Sequence, residues 1–280
     1  MIDNYIDASK PFKKPVIMGI LNVTPDSFSD GGQFLKKETA VQKALQLIRD
    51  GAEIIDIGGE SSRPGAGVIS VSEELDRVIP VLEQLRCETD IPISIDTYKP
   101  EVMVEAVRRG ATMINDIYAL RSKGAIETAA KLNVPICIMH MQGTPQTMQK
   151  APHYKQSVID EINSFFQERI IACEQAGINK ERLILDPGFG FGKTVQHNLL
   201  LIKRFKAFQC HNRPLLLGVS RKSTLGVLLQ KEVHERITGG IVMMLYAALQ
   251  GMAIIRTHDV EETRQALEIM HVLCEDETKL

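Results

Sequence analysis

The chain has no tryptophan, and aromatic residues make up only 5% of its 280 positions. A broad aromatic platform for stacking nucleobases is thereby excluded. It also has no charge excess: 33 Lys and Arg stand against 35 Asp and Glu, for a net charge of −2. Bulk attraction to a nucleic acid or an anionic membrane surface is excluded with it. The five cysteines, Cys87, Cys137, Cys173, Cys210 and Cys274, are never closer than 36 residues apart. They form no C-x-x-C pair, zinc spacing or disulfide framework, and read as reduced thiols of a cytoplasmic protein. The first fourteen residues include Asp3 and Asp7 and lack the apolar stretch of a signal peptide. The apolar run from Ile241 to Ile255 is broken by Gln250 and Gly251, which is too short to span a membrane.

What is present is an ordinary globular composition, 44% hydrophobic and 24% charged. Short apolar runs alternate with stretches of helical period. Strands are expected at Val16–Leu21, Ile54–Ile57, Ile91–Ile95, Thr112–Ile114, Val134–Met139, Leu183–Leu185, Leu215–Val219 and Ile254–Arg256. Amphipathic helices are expected within Thr39–Arg49, Glu101–Arg109 and Glu161–Ala176. Ser72 with Glu74 and Asp76 reads as the start of another helix, and Gly51, Gly110 and Gly177 as helix stops. Strand then helix, repeated about eight times in roughly 250 residues, is the pattern of a (β/α)8 TIM barrel. A doubly wound α/β sheet would carry G-x-G-x-x-G after its first strand. Here that strand runs into N-V-T-P-D-S-F-S-D-G-G. No linker or composition break divides the chain, so residues 1–280 are expected to be one domain.

In such a barrel the chemistry sits where the strands finish. The predicted ends carry Asn22, Asp56 with Gly58–Gly59–Glu60, Asp96, Asn115, His140, Asp186, Ser220–Arg221–Lys222, and Arg256 with His258. Singly, an Asp or Asn after a strand is as readily the cap of the next helix. Together they favour one convergent polar site. Asp96, Asn115 and Asp186 supply acceptor oxygens, and Lys222 supplies a cation. That set suits a flat heterocycle with an amino-pyrimidinone edge, with Met139 and Phe191 as its apolar faces, although Met139 alone is also a plausible core residue. Arg63, Arg221, Arg256 and His258 form a second, cationic set. Arg forks match phosphate oxygens, and Asn22 offers a hard oxygen to Mg2+. A diphosphate site follows, against the plainer reading of Arg63 and Arg221 as solvated loop charge.

The segments Thr24–Lys37 and Gly59–Ser70 are rich in Gly, Ser, Asp and Pro and show no helical period. Loops of that length in a compact domain are usually functional, and Phe28 and Pro64 stand in them. Residues 187–194, P-G-F-G-F-G-K-T, end like a phosphate-binding loop. The glycine such a loop needs five residues before its G-K pair is replaced by Pro187, which has no N–H to offer. The segment Ile237–Met252 leaves little polar face; an outer helix apolar all round should be covered on both sides, which predicts a homodimer.

Seven segments in register resemble the dihydropteroate synthase family of pterin-binding barrels. They are M-G-I-L-N-V-T-P-D-S-F-S-D-G-G at 18–32, D-I-G-G-E-S-S-R-P-G at 56–65, S-I-D-T at 94–97, N-D-I at 115–117, D-P-G-F-G-F-G-K at 186–193, G-V-S-R-K-S at 218–223 and R-T-H-D-V at 256–260. The resemblance covers nearly the whole chain. It implies a transferase of folate biosynthesis: para-aminobenzoate attacks the methylene carbon of 6-hydroxymethyl-7,8-dihydropterin diphosphate, releasing diphosphate and forming 7,8-dihydropteroate. It further implies Asp96, Asn115, Asp186 and Lys222 as pterin readers, with Ser62 at a further pterin-diphosphate contact. Asn22 becomes the Mg2+ ligand, and Arg63, Arg256 and His258 the diphosphate anchors. Ser220, Lys222, Phe28 and Pro64 match the aminobenzoate and sulfonamide region. The family's dissociative route would have Asp96 oppose a pterin cation, with Lys222, Arg256 and His258 completing the catalytic set. One departure is visible: the second loop has Ser62 where the family commonly has Thr.

Two other readings share parts of this pattern. A pterin-binding methyltransferase acting on a corrinoid would use the Asp and Asn readers but has no need of the R-x-H and S-R-K cations. A catalytically silent pterin binder would not need leaving-group residues at all.

Overall fold

The computed structural model describes residues 13–24, 33–63 and 65–274, with the backbone alone for 33–36. Eight strands form one parallel sheet: β1 (Val16–Asn22), β2 (Ile54–Gly58), β3 (Ile93–Asp96), β4 (Met113–Asp116), β5 (Ile136–Met139), β6 (Leu183–Asp186), β7 (Leu216–Leu217) and β8 (Ile254–Thr257). Their spatial order is β6-β5-β4-β3-β2-β1-β8-β7. The two ends of that order meet through a Leu185–Leu215 bridge and a bond from the Leu185 N–H to the Pro214 carbonyl at 2.9 Å. The sheet is therefore the expected (β/α)8 barrel.

Successive side chains of a strand point to opposite faces, and the sequence divides its residues accordingly. Met18, Met113, Cys137, Ile184, Leu216 and Ile254 point inward and pack with Val16 and Ala253 as a plug inside the barrel. Their chain neighbours Ile17, Ile114, Ile136, Ile138, Leu183, Leu185, Leu215, Leu217 and Ile255 join the larger core shared with the helices. Full burial of each such side chain contributes roughly 1.5–3 kcal/mol. Two residues beyond Met113, Ile184 and Ile254 on the same inner face stand Asn115, Asp186 and Arg256. The polar site thus lies one layer above an apolar plug.

The helices are α1 (Gln33–Asp50), α2 (Val71–Glu88), α3 (Pro100–Arg108), α4 (Ala125–Lys131), α5 (Val158–Gln175), α6 (Val195–Lys203), α7 (Ser223–Leu229), α8 (Ile237–Ala248) and α9 (Val260–Cys274). Gly51, Gly110 and Gly177 do stop helices, with φ of 112°, 109° and 87°. Four expectations are corrected. Helix α1 starts at Gln33, inside the segment read as loop to Lys37. The cap of α2 is Ser70, whose Oγ accepts from the Glu73 N–H at 3.1 Å, and Ser72 lies inside the helix. Strand β7 is two residues long where five were expected. Most strands run one or two residues further toward the upper rim than their apolar runs, because ladder bonds are made by backbone and ignore side-chain polarity. Asp96 and Asp186 are thus the last residues of their strands. The short helix α7, in the β7 connection, had no sequence expectation.

Candidate active site

Strand register sets the centre of the site. Asp56 pairs with Ser94, Gly58 with Asp96, and Asp96 with Asn115 across β2, β3 and β4. Arg256 comes across the mouth from β8. Its Nε donates to Asp56 Oδ2 at 2.6 Å and its Nη2 to Asp96 Oδ2 at 2.7 Å. Asn115 Nδ2 donates to Asp56 Oδ2 at 3.1 Å. Asp56 is fully buried, and its Oδ1 has no hydrogen-bond partner among the described residues. Burial alone would discourage charge on Arg256, but Asp56 and Asp96 outweigh it and raise its affinity for a proton. Burial pushes Asp96 up to about 7; Arg256 opposes that shift, and Asp56 adds to it.

The wall beside this centre is built from the 186–193 loop. Asp186 Oδ1 accepts from the Gly188 N–H at 2.7 Å, and Asn198 Oδ1 from the Gly190 N–H at 2.8 Å. Those amides are therefore turned inward, unlike the amides of a phosphate cradle. Lys193, 3% exposed, gives its Nζ to His140 Nδ1 at 2.9 Å, the Phe191 carbonyl at 3.0 Å and the His140 carbonyl at 3.4 Å. Lys222 donates to the Phe189 carbonyl and sits 4.3 Å from the centroid of the Phe191 ring. Burial lowers Lys222 to about 8, partly offset by the Asp186 charge. Burial raises Asp186, which Lys222 and the Gly188 N–H resist. Each of the four readers expected from sequence thus feels the charge or polarity of the same cleft, except that Asn115 connects through Asp56.

The third part is the β7–β8 rim. Ser220 Oγ donates to Asp259 Oδ2 at 3.1 Å, accepts from the His258 N–H at 3.2 Å, and lies 3.0 Å from His258 Nδ1. Asp259 also holds Arg221, at 2.5 Å from Nη2. The Ser220 hydroxyl has one hydrogen, and the carboxylate paired to Arg221 can only accept it. His258 Nδ1 must then carry its own hydrogen, leaving Nε2 as a bare acceptor. Burial lowers His258 to about 3, and the charges of Arg256 and Arg221, with a smaller contribution from Arg63, push the same way. Arg63 is exposed, and its influence on His258 places it on this side of the mouth.

Met139 and Phe191 occur in one apolar cluster with Ile117, Met141, Met148, Tyr98 and Tyr118. Ser62 lines a small cavity with Glu60, Ser61, Glu74, Asp96, Thr97, Tyr98 and Ile117. Asn22 ends β1 beside Gly58, half-buried, and its side chain has no hydrogen-bond partner among the described residues. Phe28 and Pro64 lie outside the described residues. No cluster of three or more His, Cys, Asp or Glu able to hold a metal occurs among the described residues. Two participants escaped the sequence reading. Asp56 was noted as a strand end but given no role, although its place two residues after inward Ile54 marks it. Lys193 was set aside with the phosphate-loop pattern that it completes.

A sequence profile described as "Pterin binding enzyme" matches residues 18–258. The chain belongs to the pterin-binding enzyme family. Within it, the dihydropteroate synthase of Escherichia coli strain K12 is 53% identical over 256 residues, covering 91% of this chain and 90% of that protein. The crystal structure of the Yersinia pestis dihydropteroate synthase with a sulfonamide drug complex has a TM-score of 0.88 at 48% identity, covering 93% of this chain and 94% of that one. The Xanthomonas albilineans dihydropteroate synthase with 4-aminobenzoic acid has a TM-score of 0.88 at 47% identity, covering 93% of each chain.

Proposed function

We propose that this site joins 6-hydroxymethyl-7,8-dihydropterin diphosphate to para-aminobenzoate, forming 7,8-dihydropteroate and diphosphate, as a transferase of folate biosynthesis. The observation that carries this reading is the gathering of Asp96, Asp186, Lys222 and the Asp56-linked Asn115 around one cleft above the plug, in a chain of this family. Acceptor oxygens there match the N–H-rich edge of a pterin. Lys222 meets its carbonyl side, and Met139 and Phe191 its flat faces.

The carbon–oxygen bond to diphosphate breaks first, leaving a resonance-stabilised pterin cation that the Asp96 carboxylate opposes. Arg63, Arg256 and His258 receive the leaving diphosphate. Its charge raises the proton affinity of His258, whose bare Nε2 then gains a hydrogen to donate. The aromatic amine, held near Ser220 and Lys222, attacks the methylene carbon and gives up a proton to solvent. Such an amine needs positioning more than activation. Asn22 fits a Mg2+ that keeps most of its waters, since its one neutral oxygen has no hydrogen-bond partner among the described residues and a diphosphate supplies the remaining charge. When bound, that ion would neutralise diphosphate oxygens.

We also read the protein as a homodimer of the cytoplasm. Val227 and Leu229 of α7, Val242 and Tyr246 of α8, and Ile269 and Leu273 of α9 are exposed, an apolar extent that a second copy would cover. All five cysteines are free thiols, and among the described residues no helix is long and apolar enough to cross a membrane. Diphosphate release that depends on added para-aminobenzoate and is inhibited by a sulfonamide tests the reaction; release independent of the amine would overturn it.

A further inference from the structure

The β2–α2 connection, residues 59–70, carries Ser62 and Arg63 to the mouth of the barrel. Its neck is tied by a buried ion cluster. Glu60 Oε2 accepts from the Ile69 N–H at 3.3 Å, so a side chain at one end of the loop grips the backbone at the other. The same oxygen takes Lys99 Nζ at 2.5 Å, and Glu60 Oε1 takes the Tyr98 hydroxyl at 2.9 Å. Lys99 also donates to Glu74 Oε2 on α2 at 2.5 Å. Lys99 is 7% exposed and Glu74 1%. Beyond the neck, the loop is held lightly: Gly65 N–H to the Pro145 carbonyl at 3.3 Å, and Gln146 Nε2 to the Ala66 carbonyl at 3.2 Å.

A buried cluster of one ammonium and two carboxylates is poor at adding stability, because desolvation offsets most of the attraction. It is good at fixing geometry, since each donor must find its acceptor. Here the geometry fixed is that of a loop with weak tip contacts, whose functional side chains lie one and two residues beyond Ser61. We propose that Lys99 and Glu60 are positioning residues: the Lys99–Glu60 pair holds the 59–70 loop in the conformation in which Ser62 and Arg63 engage the diphosphate end of the substrate, while leaving the pterin end to other elements. This rests on Ser62 and Arg63 being diphosphate contacts. Three of the four pterin readers, Asn115, Asp186 and Lys222, sit on other strands and loops, and Asp96 alone lines a cavity with Ser62 and Glu60.

The test is calorimetric binding of two probes to the intact protein: inorganic pyrophosphate with Mg2+, and 6-hydroxymethylpterin without phosphate. For Lys99→Met and Glu60→Gln, the pyrophosphate Kd rises about tenfold if the loop spends a tenth of its time in the competent form. The pterin Kd stays within a factor of about two, and Lys99→Arg recovers most of the pyrophosphate affinity. Glu60→Gln leaves Lys99 paired to Glu74, so it decides the matter if Lys99→Met does not fold. Equal weakening of both probes, or no change in either, in variants with intact melting curves overturns the positioning role. Arg63→Ala separates the underlying reading: if it leaves pyrophosphate binding unchanged, the loop is not the diphosphate holder and the proposal falls with it. If Arg63→Ala weakens pyrophosphate and the Lys99 and Glu60 variants do not, only the positioning role is lost.

Discussion

Asp56 and Asp96, on neighbouring strands, share one guanidinium: Arg256 bonds the first through Nε at 2.6 Å and the second through Nη2 at 2.7 Å. The fork geometry matters, because a lysine at 256 would offer a point charge in place of two fixed, diverging N–H groups. Asp56→Asn weakens the fork's inner arm while preserving volume. We expect kcat/KM to fall about a hundredfold through misplacement of Arg256 and Asn115, with a stability loss of about 1–3 kcal/mol. Steady-state kinetics beside a denaturant titration measures both; unchanged kinetics would show that Arg256 is placed without Asp56.

The pH dependence follows from two opposed shifts. In the proposed route Asp96, raised to about 7, must be ionised to oppose the cation, so activity is expected to rise as pH climbs through that value. Lys222, lowered to about 8, loses its charge as pH climbs further, so activity falls again. The expected kcat/KM profile is a narrow bell between these limbs. Stability has its own sign. The folded chain retains the Asp96 proton that the unfolded chain, at 3.8, releases, so this group's contribution declines as pH rises from about 4 to about 7. Asp96→Asn removes the acid limb along with most of kcat even where pterin still binds. A flat profile across that range would contradict both assignments.

Lys222→Ala is expected to raise the KM for the pterin substrate and lower kcat together. The ammonium is anchored on the Phe189 carbonyl and the Phe191 face, so under the proposed role its loss removes a pterin contact and loosens a wall. Paired measurement of the two constants is the check, and wild-type values would remove Lys222 from the site.

Gly188→Ala should be among the most disruptive single-methyl changes in the chain. Gly188 has a φ of 69°, and an added Cβ would lie 1.9 Å from the His140 carbonyl oxygen. Backbone cannot yield as a flexible side chain can, so a loss of about 3 kcal/mol or more is expected. A melting curve like that of wild type would contradict the packing of the 140 and 186–193 loops against each other.

Val242→Glu and Tyr246→Glu place charge on the outward face of α8, where both residues are at least half exposed. If a second copy covers that face, light scattering shows the wild type at twice the monomer mass and the variants shifted toward the monomer. A wild type that stays monomeric at high concentration removes the dimer.

Much of this was legible in the amino-acid order. Eight short apolar runs separated by helical periods specify a closed parallel barrel, because strands buried on both faces must be apolar throughout and must alternate with covering helices. The same order named Asp96, Asn115 and Asp186, since a polar side chain directly after a buried run has few places to go but the rim, and it named Lys222 three residues after Val219. Helix start points were less legible: Ser70 and Ser72 are chemically alike, and only the path of the backbone decides which hydroxyl meets a free N–H. Tertiary structure alone decided that Arg256 would spend its fork on Asp56 and Asp96, which are 200 and 160 positions away in sequence. It alone turned Lys193 inward to His140 and tied Glu60 to Lys99. Those partners are chosen by distance and burial across the barrel mouth, and a linear pattern carries residue types and spacings but no such distances.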